Sequence, residues 1–155
     1  MKGHKLPYLL VVVLTLGTIA CGADERPGTN HVQGTNNARK KKMKITIGSK
    51  TFKATLEDNP TTAKLKALLP QRLKMTELNG NEKYYHLSTP LPINAKRPGT
   101  IQPGDLMLFG DNSLVLFYKK LDTSYSYTRL GRIDNPSGLA VAVGAGDVFV
   151  TFEIE

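Results

Sequence analysis

The sequence predicts a mainly β domain, a closed eight-stranded antiparallel barrel with two short helices. Three observations point to it. Apolar and polar residues alternate with period two in the opening segments, which is the pattern of strands with one face buried. Two nearly unbroken apolar runs, Asp105 to Phe109 and Ser113 to Tyr118, flank Gly110-Asp111-Asn112 and read as a hairpin buried on both faces. Strand-like segments with turn residues between them recur to Ile154, and only two short stretches have helical spacing. The span from Met43 to Ile154 is long enough for one domain with its own core.

Taken in order, Met43, Ile45 and Ile47 alternate with Lys44 and Thr46, Gly48-Ser49 turns the chain, and Phe52, Ala54 and Leu56 alternate again. Asn59 followed by Pro60 fits an N-cap and first helical residue. Ala63, Leu65, Leu68 and Leu69 then recur at helical spacing until Pro70 ends the helix. Leu73 to Leu78 and Lys83 to Leu87 are strands around Asn79-Gly80, and a Pro-rich loop runs from Thr89 to Pro103. Beyond the central hairpin, Tyr127 to Ile133 and Val148 to Ile154 are strands, with a brief helix between Pro136 and Val143.

The segment before the domain has a different character. Lys2 and Lys5 precede an apolar run from Leu6 to Leu16, and Gly17-Thr18-Ile19-Ala20-Cys21 closes it with small residues around the single cysteine of the chain. A run of roughly 15 apolar residues falls short of the roughly 20 that a spanning helix needs, so residues 1–20 read as a cleaved lipoprotein signal and Cys21 as the acylated residue. Acyl chains contribute about 0.8 kcal/mol per buried methylene, and several together anchor a protein firmly. The other reading is a secretory signal with an incidental cysteine. Residues 21–42 are poor in large apolar side chains and form a flexible tether. The expected address is the cell envelope, on the outer membrane.

The formal net charge is +8, and removal of Lys2 and Lys5 leaves 19 basic against 13 acidic residues. Much of that excess sits in the tether, at Arg26 and in the cluster of Arg39, Lys40, Lys41, Lys42 and Lys44. From Ile45 onward there are 13 basic and 11 acidic residues. A nucleic-acid-binding face is therefore excluded in favour of a solvated tether that touches anionic lipid headgroups. Beyond the signal the chain has only His31 and His86, too few for a histidine metal site or a conventional triad. Gly144-Ala145-Gly146 is a turn and lacks the context of a nucleotide loop, so neither metal nor cofactor is expected. Asp105 has two readings, general base or local backbone acceptor, and its place at a turn-to-strand junction favours the second.

The run Pro-Gly-Thr-Ile-Gln-Pro-Gly-Asp-Leu-Met-Leu-Phe-Gly from Pro98 to Gly110, with Ser-Leu-Val-Leu-Phe-Tyr from Ser113 and Arg-Leu-Gly-Arg-Ile from Arg129, resembles the small bacterial cyclophilin-like domains. The resemblance covers Met43 to Glu153. It implies the cyclophilin barrel, a groove on the barrel, and an association with flavodoxin-like partners. Prolyl isomerisation requires an arginine over the twisted amide and an apolar pocket for the proline ring. The strand similar to the arginine-bearing one reads Tyr84-Tyr85-His86-Leu87 and has no arginine. Leu114 stands at the position of the substrate-holding glutamine, and Asp122 lies near that of the pocket tryptophan. Tyr127 falls close to the groove-lining histidine.

No catalytic residue is therefore assigned. Tyr85, His86, Arg97, Phe109, Leu116, Tyr125, Tyr127 and Arg129 are the candidates to line a ligand groove. Tyr118, Tyr125, Tyr127, Arg129 and Arg132 form the densest aromatic and cationic group, fit either for a ligand or for the barrel edge. The expected function is a lipid-anchored, non-catalytic module that binds a peptide or small ligand. The alternatives are a degenerate peptidyl-prolyl isomerase acting on exported proteins and an accessory to a flavodoxin-like redox partner.

Overall fold

Hairpins of alternating residues close the chain on itself. A computed structural model describes residues 42–155. The expected signal segment 1–20, the expected tether as far as residue 41 and the expected lipidation site Cys21 lie outside the described residues. Ten strands are present among the described residues: β1 (Lys42–Ile47), β2 (Lys50–Leu56), β3 (Gln71–Leu78), β4 (Glu82–His86), β5 (Gly99–Ile101), β6 (Asp105–Phe109), β7 (Ser113–Phe117), β8 (Leu121–Thr123), β9 (Thr128–Ile133) and β10 (Val148–Ile154). The described residues also form two helices, α1 (Pro60–Leu68) and α2 (Leu139–Val143). Eight of the strands form a closed antiparallel barrel in the order β1-β10-β3-β4-β7-β6-β9-β2, and β5 pairs with β8 outside it. Closure leaves the barrel without an unpaired edge.

Period-two alternation sets the inward face. Met43, Ile45 and Ile47 of β1 and Phe52, Ala54 and Leu56 of β2 enter the main core with Leu106, Leu108, Leu114 and Leu116. Asn79 and Gly80 turn β3 into β4 with φ of 56° and 69°. That pair of left-handed conformations is what a type I′ hairpin turn requires. A bulge interrupts β6 and β9, where Leu106 faces Gly131 while Met107 faces Arg129. Gly131 is required there, because a Cβ would lie 2.5 Å from the Thr55 carbonyl oxygen and 3.0 Å from Leu56 Cα.

Helix α1 begins as its sequence signals. Asn59 Oδ1 accepts from the Thr62 amide at 2.8 Å, and Pro60 occupies the first turn. The cap thereby satisfies one of the amides that a helix start leaves without a partner. Its buried face differs from the expected one: Thr61, Thr62 and Leu65 are buried, while Ala63 is exposed. The two threonine hydroxyls donate to Pro92 O at 2.7 Å and Leu130 O at 3.3 Å. Those bonds make their burial tolerable. The Pro-rich loop is likewise more ordered than expected. It contains β5, and the Lys96 and Tyr127 backbones exchange hydrogen bonds of 2.9 and 3.0 Å.

The apolar runs of β6 and β7 are buried on both faces, as their composition predicts. Leu106, Leu108, Leu114 and Leu116 point into the barrel. Met107, Val115 and Phe117 point outward into a second core with Ile101 and Tyr127, against which Tyr84 and Leu121 pack. That outer core brings β5 and β8 onto the barrel wall and builds the floor of the site.

Candidate functional site

Beside the second core, the outer faces of β4, β7 and β6 open into a cavity of about 620 Å³. The register of the strands explains its lining. On β4 the outward positions are Glu82, Tyr84 and His86, and they pair with Phe117, Val115 and Ser113 of β7. Phe109 of β6 lies opposite Ser113. The segment from Leu121 to Tyr127 forms the facing wall, and Leu78, Asn79 and Asn81 of the β3–β4 turn form one end.

Aromatic contacts shape this lining. Phe109 meets Tyr125 with ring centroids 5.9 Å apart and Tyr127 at 5.4 Å, while Phe117 meets Tyr127 edge-on at 5.6 Å. Tyr84 and His86 stand edge-to-face at 5.2 Å. These are the tilted and edge-on arrangements that ring quadrupoles favour. Ser113 Oγ and His86 Nδ1 are 2.8 Å apart, so the serine restrains the imidazole at the cavity rim. Burial, followed by the charge of Glu82, pushes the Tyr127 phenol above its usual value. Burial, together with the nearby Glu77, raises the Glu82 carboxyl.

Of the residues singled out from sequence, His86, Phe109, Tyr125 and Tyr127 line this cavity. Arg97 and Arg129 line a neighbouring polar cleft of about 380 Å³ with Lys96 and Glu57, and Tyr127 is the wall common to both spaces. Arg129 Nη1 lies 3.8 Å from Asp105 Oδ2, and Arg132 Nε lies 3.5 Å from Asp105 Oδ1. The bulge turns both arginines to that face. Asp105 Oδ2 also accepts from the Gln102 amide at 2.9 Å, the local backbone role its position favours.

Tyr85 and Leu116 are corrections to the expected groove. Tyr85 follows Tyr84 in a strand, so period two sends it to the opposite face, where it packs on the main core and lines a small crevice beside α1. Leu116 has inward parity on β7 and is fully buried inside the barrel. Leu114 points inward for the same reason, away from the place of a substrate-holding side chain. The aromatic and cationic group around Tyr118 also separates, because Tyr118 belongs to the main core and donates to Glu77 beside the β3–β4 turn, whereas Tyr127 belongs to the second core.

Sequence reasoning missed Glu82, Tyr84, Asn81 and Ser113, although one signal was present. Counting back by twos from His86 places Tyr84 and Glu82 on its face. A strand that begins at Lys83, as the apolar pattern suggests, leaves Glu82 out.

A closed eight-stranded antiparallel barrel with two helices is consistent with the cyclophilin-like barrel. The profile of the Cyclophilin-like family matches residues 45–153, and the chain belongs to that family. Among solved structures, it is similar to the solution structure of a hypothetical protein from Archaeoglobus fulgidus, with a TM-score of 0.57 and 18% sequence identity. That match covers 76% of this chain and 97% of the archaeal one, and it concerns the fold. Comparison with curated proteins finds no match.

Proposed function

We propose that the protein is a lipid-anchored module of the bacterial cell envelope whose barrel holds a peptide or small ligand in the aromatic cavity without transforming it. The observation that carries this reading is the convergence of exposed apolar side chains. Leu78, Phe109 and Tyr125 are 39%, 44% and 65% exposed, and all three border the same cavity. Large apolar side chains gathered around a concavity mark a surface that a ligand covers. The residues from Met1 to Cys21 support the anchor and the outer-membrane address through their charge, apolar run and terminal cysteine.

The isomerase alternative needs an arginine over the substrate amide. Among the described residues, those lining the cavity include no arginine; Arg97 and Arg129 stand on the far side of Tyr127, and Arg129 lies beside Asp105. A proline-isomerisation assay on the protein separates the two readings. The expected result is no acceleration over the uncatalysed reaction, and acceleration abolished by Arg97→Ala or Arg129→Ala would overturn the binding module. Cys21→Ser is expected to release the protein from membranes with its barrel folded, and retention in the membrane fraction would refute the anchor.

A further inference from the structure

One end of the cavity holds two acceptors that the described residues leave unmatched. Glu82 lines the cavity at 8% exposure, and among the described residues no hydrogen bond or ion pair engages its carboxylate. Its neighbour Asn81 also lines the cavity, and its Oδ1 is buried without a hydrogen-bond partner among the described residues. Lys83 offers no relief. Its ammonium points to the other face of β4, where Glu77, Gly144 O and Gly146 O take its protons. The cavity lining contains the acids Glu82 and Asp122 but no lysine or arginine, so the lining itself supplies Glu82 with no counter-charge.

Burying a carboxylate without a counter-charge is costly, and natural folds keep such groups where a ligand supplies the missing partner. Burial raises the Glu82 carboxyl, and the neighbouring Glu77 raises it further, the expected response of an acid without a cation. The walls suit the same occupant. Tyr84 and Tyr127 both line the cavity. Their faces are electron-rich, and a cation beside such rings in a partly desolvated site gains further attraction.

We propose that the cavity recognises a positively charged nitrogen, an ammonium or guanidinium on an apolar stem, with Glu82 and Asn81 Oδ1 as its acceptors and the tyrosines as its walls. This rests on the ligand-binding reading of the cavity and adds the charge of the ligand. Two sources share the chemistry, a basic side chain of a peptide and a free organic amine.

The test is a titration of the protein with phenethylamine, its neutral isostere phenethyl alcohol, the anion phenylacetate and a blocked Phe-Arg dipeptide, followed by tyrosine NMR signals. The amine is expected to bind at least tenfold more tightly than the alcohol, and phenylacetate more weakly than either. Glu82→Gln is expected to erase the preference while the protein stays folded with an undiminished melting temperature. Equal affinity for amine and alcohol, or a preference that survives Glu82→Gln, overturns the proposal. If the alcohol binds and shifts Tyr84 and Tyr127 without any charge preference, the cavity reading stands and the cation site falls. If no probe binds, both fall. Tighter binding of the dipeptide supports the site with a peptide source, and tighter binding of phenethylamine supports it with a free amine.

Discussion

Replacing Lys83 with methionine is expected to unlatch one end of the barrel. The Lys83 side chain is fully buried, and its ammonium donates to Glu77, to Gly144 O at 2.9 Å and to Gly146 O at 2.6 Å. Tyr118 closes the group, with its hydroxyl 2.9 Å from both Glu77 carboxylate oxygens and its ring centroid 5.3 Å from Lys83 Nζ. Methionine preserves the unbranched packing but removes every donor. Loss of one partner of a buried ion pair costs about 3–5 kcal/mol. Glu77 keeps its bonds to Tyr118 and to the Gly80 amide, and its side chain is 20% exposed. That places the loss near the lower bound, about 3 kcal/mol. For a domain of this size such a loss lowers the melting temperature by roughly 10 °C. Urea unfolding at constant m-value measures it. The acid dependence provides a second reading. Burial alone would raise the Glu77 carboxyl, but hydrogen bonds from Lys83, Tyr118 and the Gly80 amide outweigh it and hold the carboxyl below 4.5. Its stabilising contribution is therefore present above pH 4.5 and is lost as pH falls through the folded value, so the gap between wild type and Lys83→Met should narrow on acidification. A loss under about 1 kcal/mol, or a gap independent of pH, would refute this account of the latch.

Gly131→Ala places a Cβ against β2 backbone that cannot yield. It should destabilise the protein by about 2–3 kcal/mol, and an unchanged urea midpoint would sink the close-approach argument. Asn59→Ala removes the cap on Thr62 and also the donor to Arg129 O at 2.9 Å. The expected loss is about 1–2 kcal/mol by the same measurement. Tyr118, pushed up to about 12 by burial and by its bond to Glu77, should ionise last in a phenolate absorbance titration. Folded stability should then decline as pH rises from the ordinary value of 10 towards 12, and Tyr118→Phe should lessen that decline, leaving the part due to Tyr127. Glu82→Gln is expected to raise the melting temperature at pH 7. A carboxyl raised by burial and by Glu77 favours the folded state below 4.5 and disfavours it as pH rises through its folded value, so the gain should vanish in acid. A lower melting temperature at pH 7 would show that the carboxylate has an internal partner.

Much of the barrel was legible because local rules governed it. Period two in β1 and β2, the buried central hairpin, the Asn59 cap and the limits of β6 and β10 follow from residues close in sequence. Other features were not legible. The short β5 and β8 lack a strand pattern of their own and are strands because each satisfies the other's backbone. Thr61 and Thr62 are buried because carbonyls from Pro92 and Leu130 reach their hydroxyls, and no propensity of the helix foretells those partners. Lys83 reads as a surface charge until the carbonyls of Gly144 and Gly146 arrive from a turn some sixty residues away. The candidate site divides in the same way. Tyr127, Phe109, Tyr125 and His86 were found as aromatic and polar residues on strands and turns, whereas parity in the closed sheet removed Tyr85 and Leu116 and brought in Glu82. The sequence by itself determined the strand periodicity, the turns, the helix start and the family resemblance, since each depends on residues within a few positions of one another. Only the tertiary structure decided which outward residues share one cavity and which buried polar groups find partners, because both depend on strand order and register around a closed barrel.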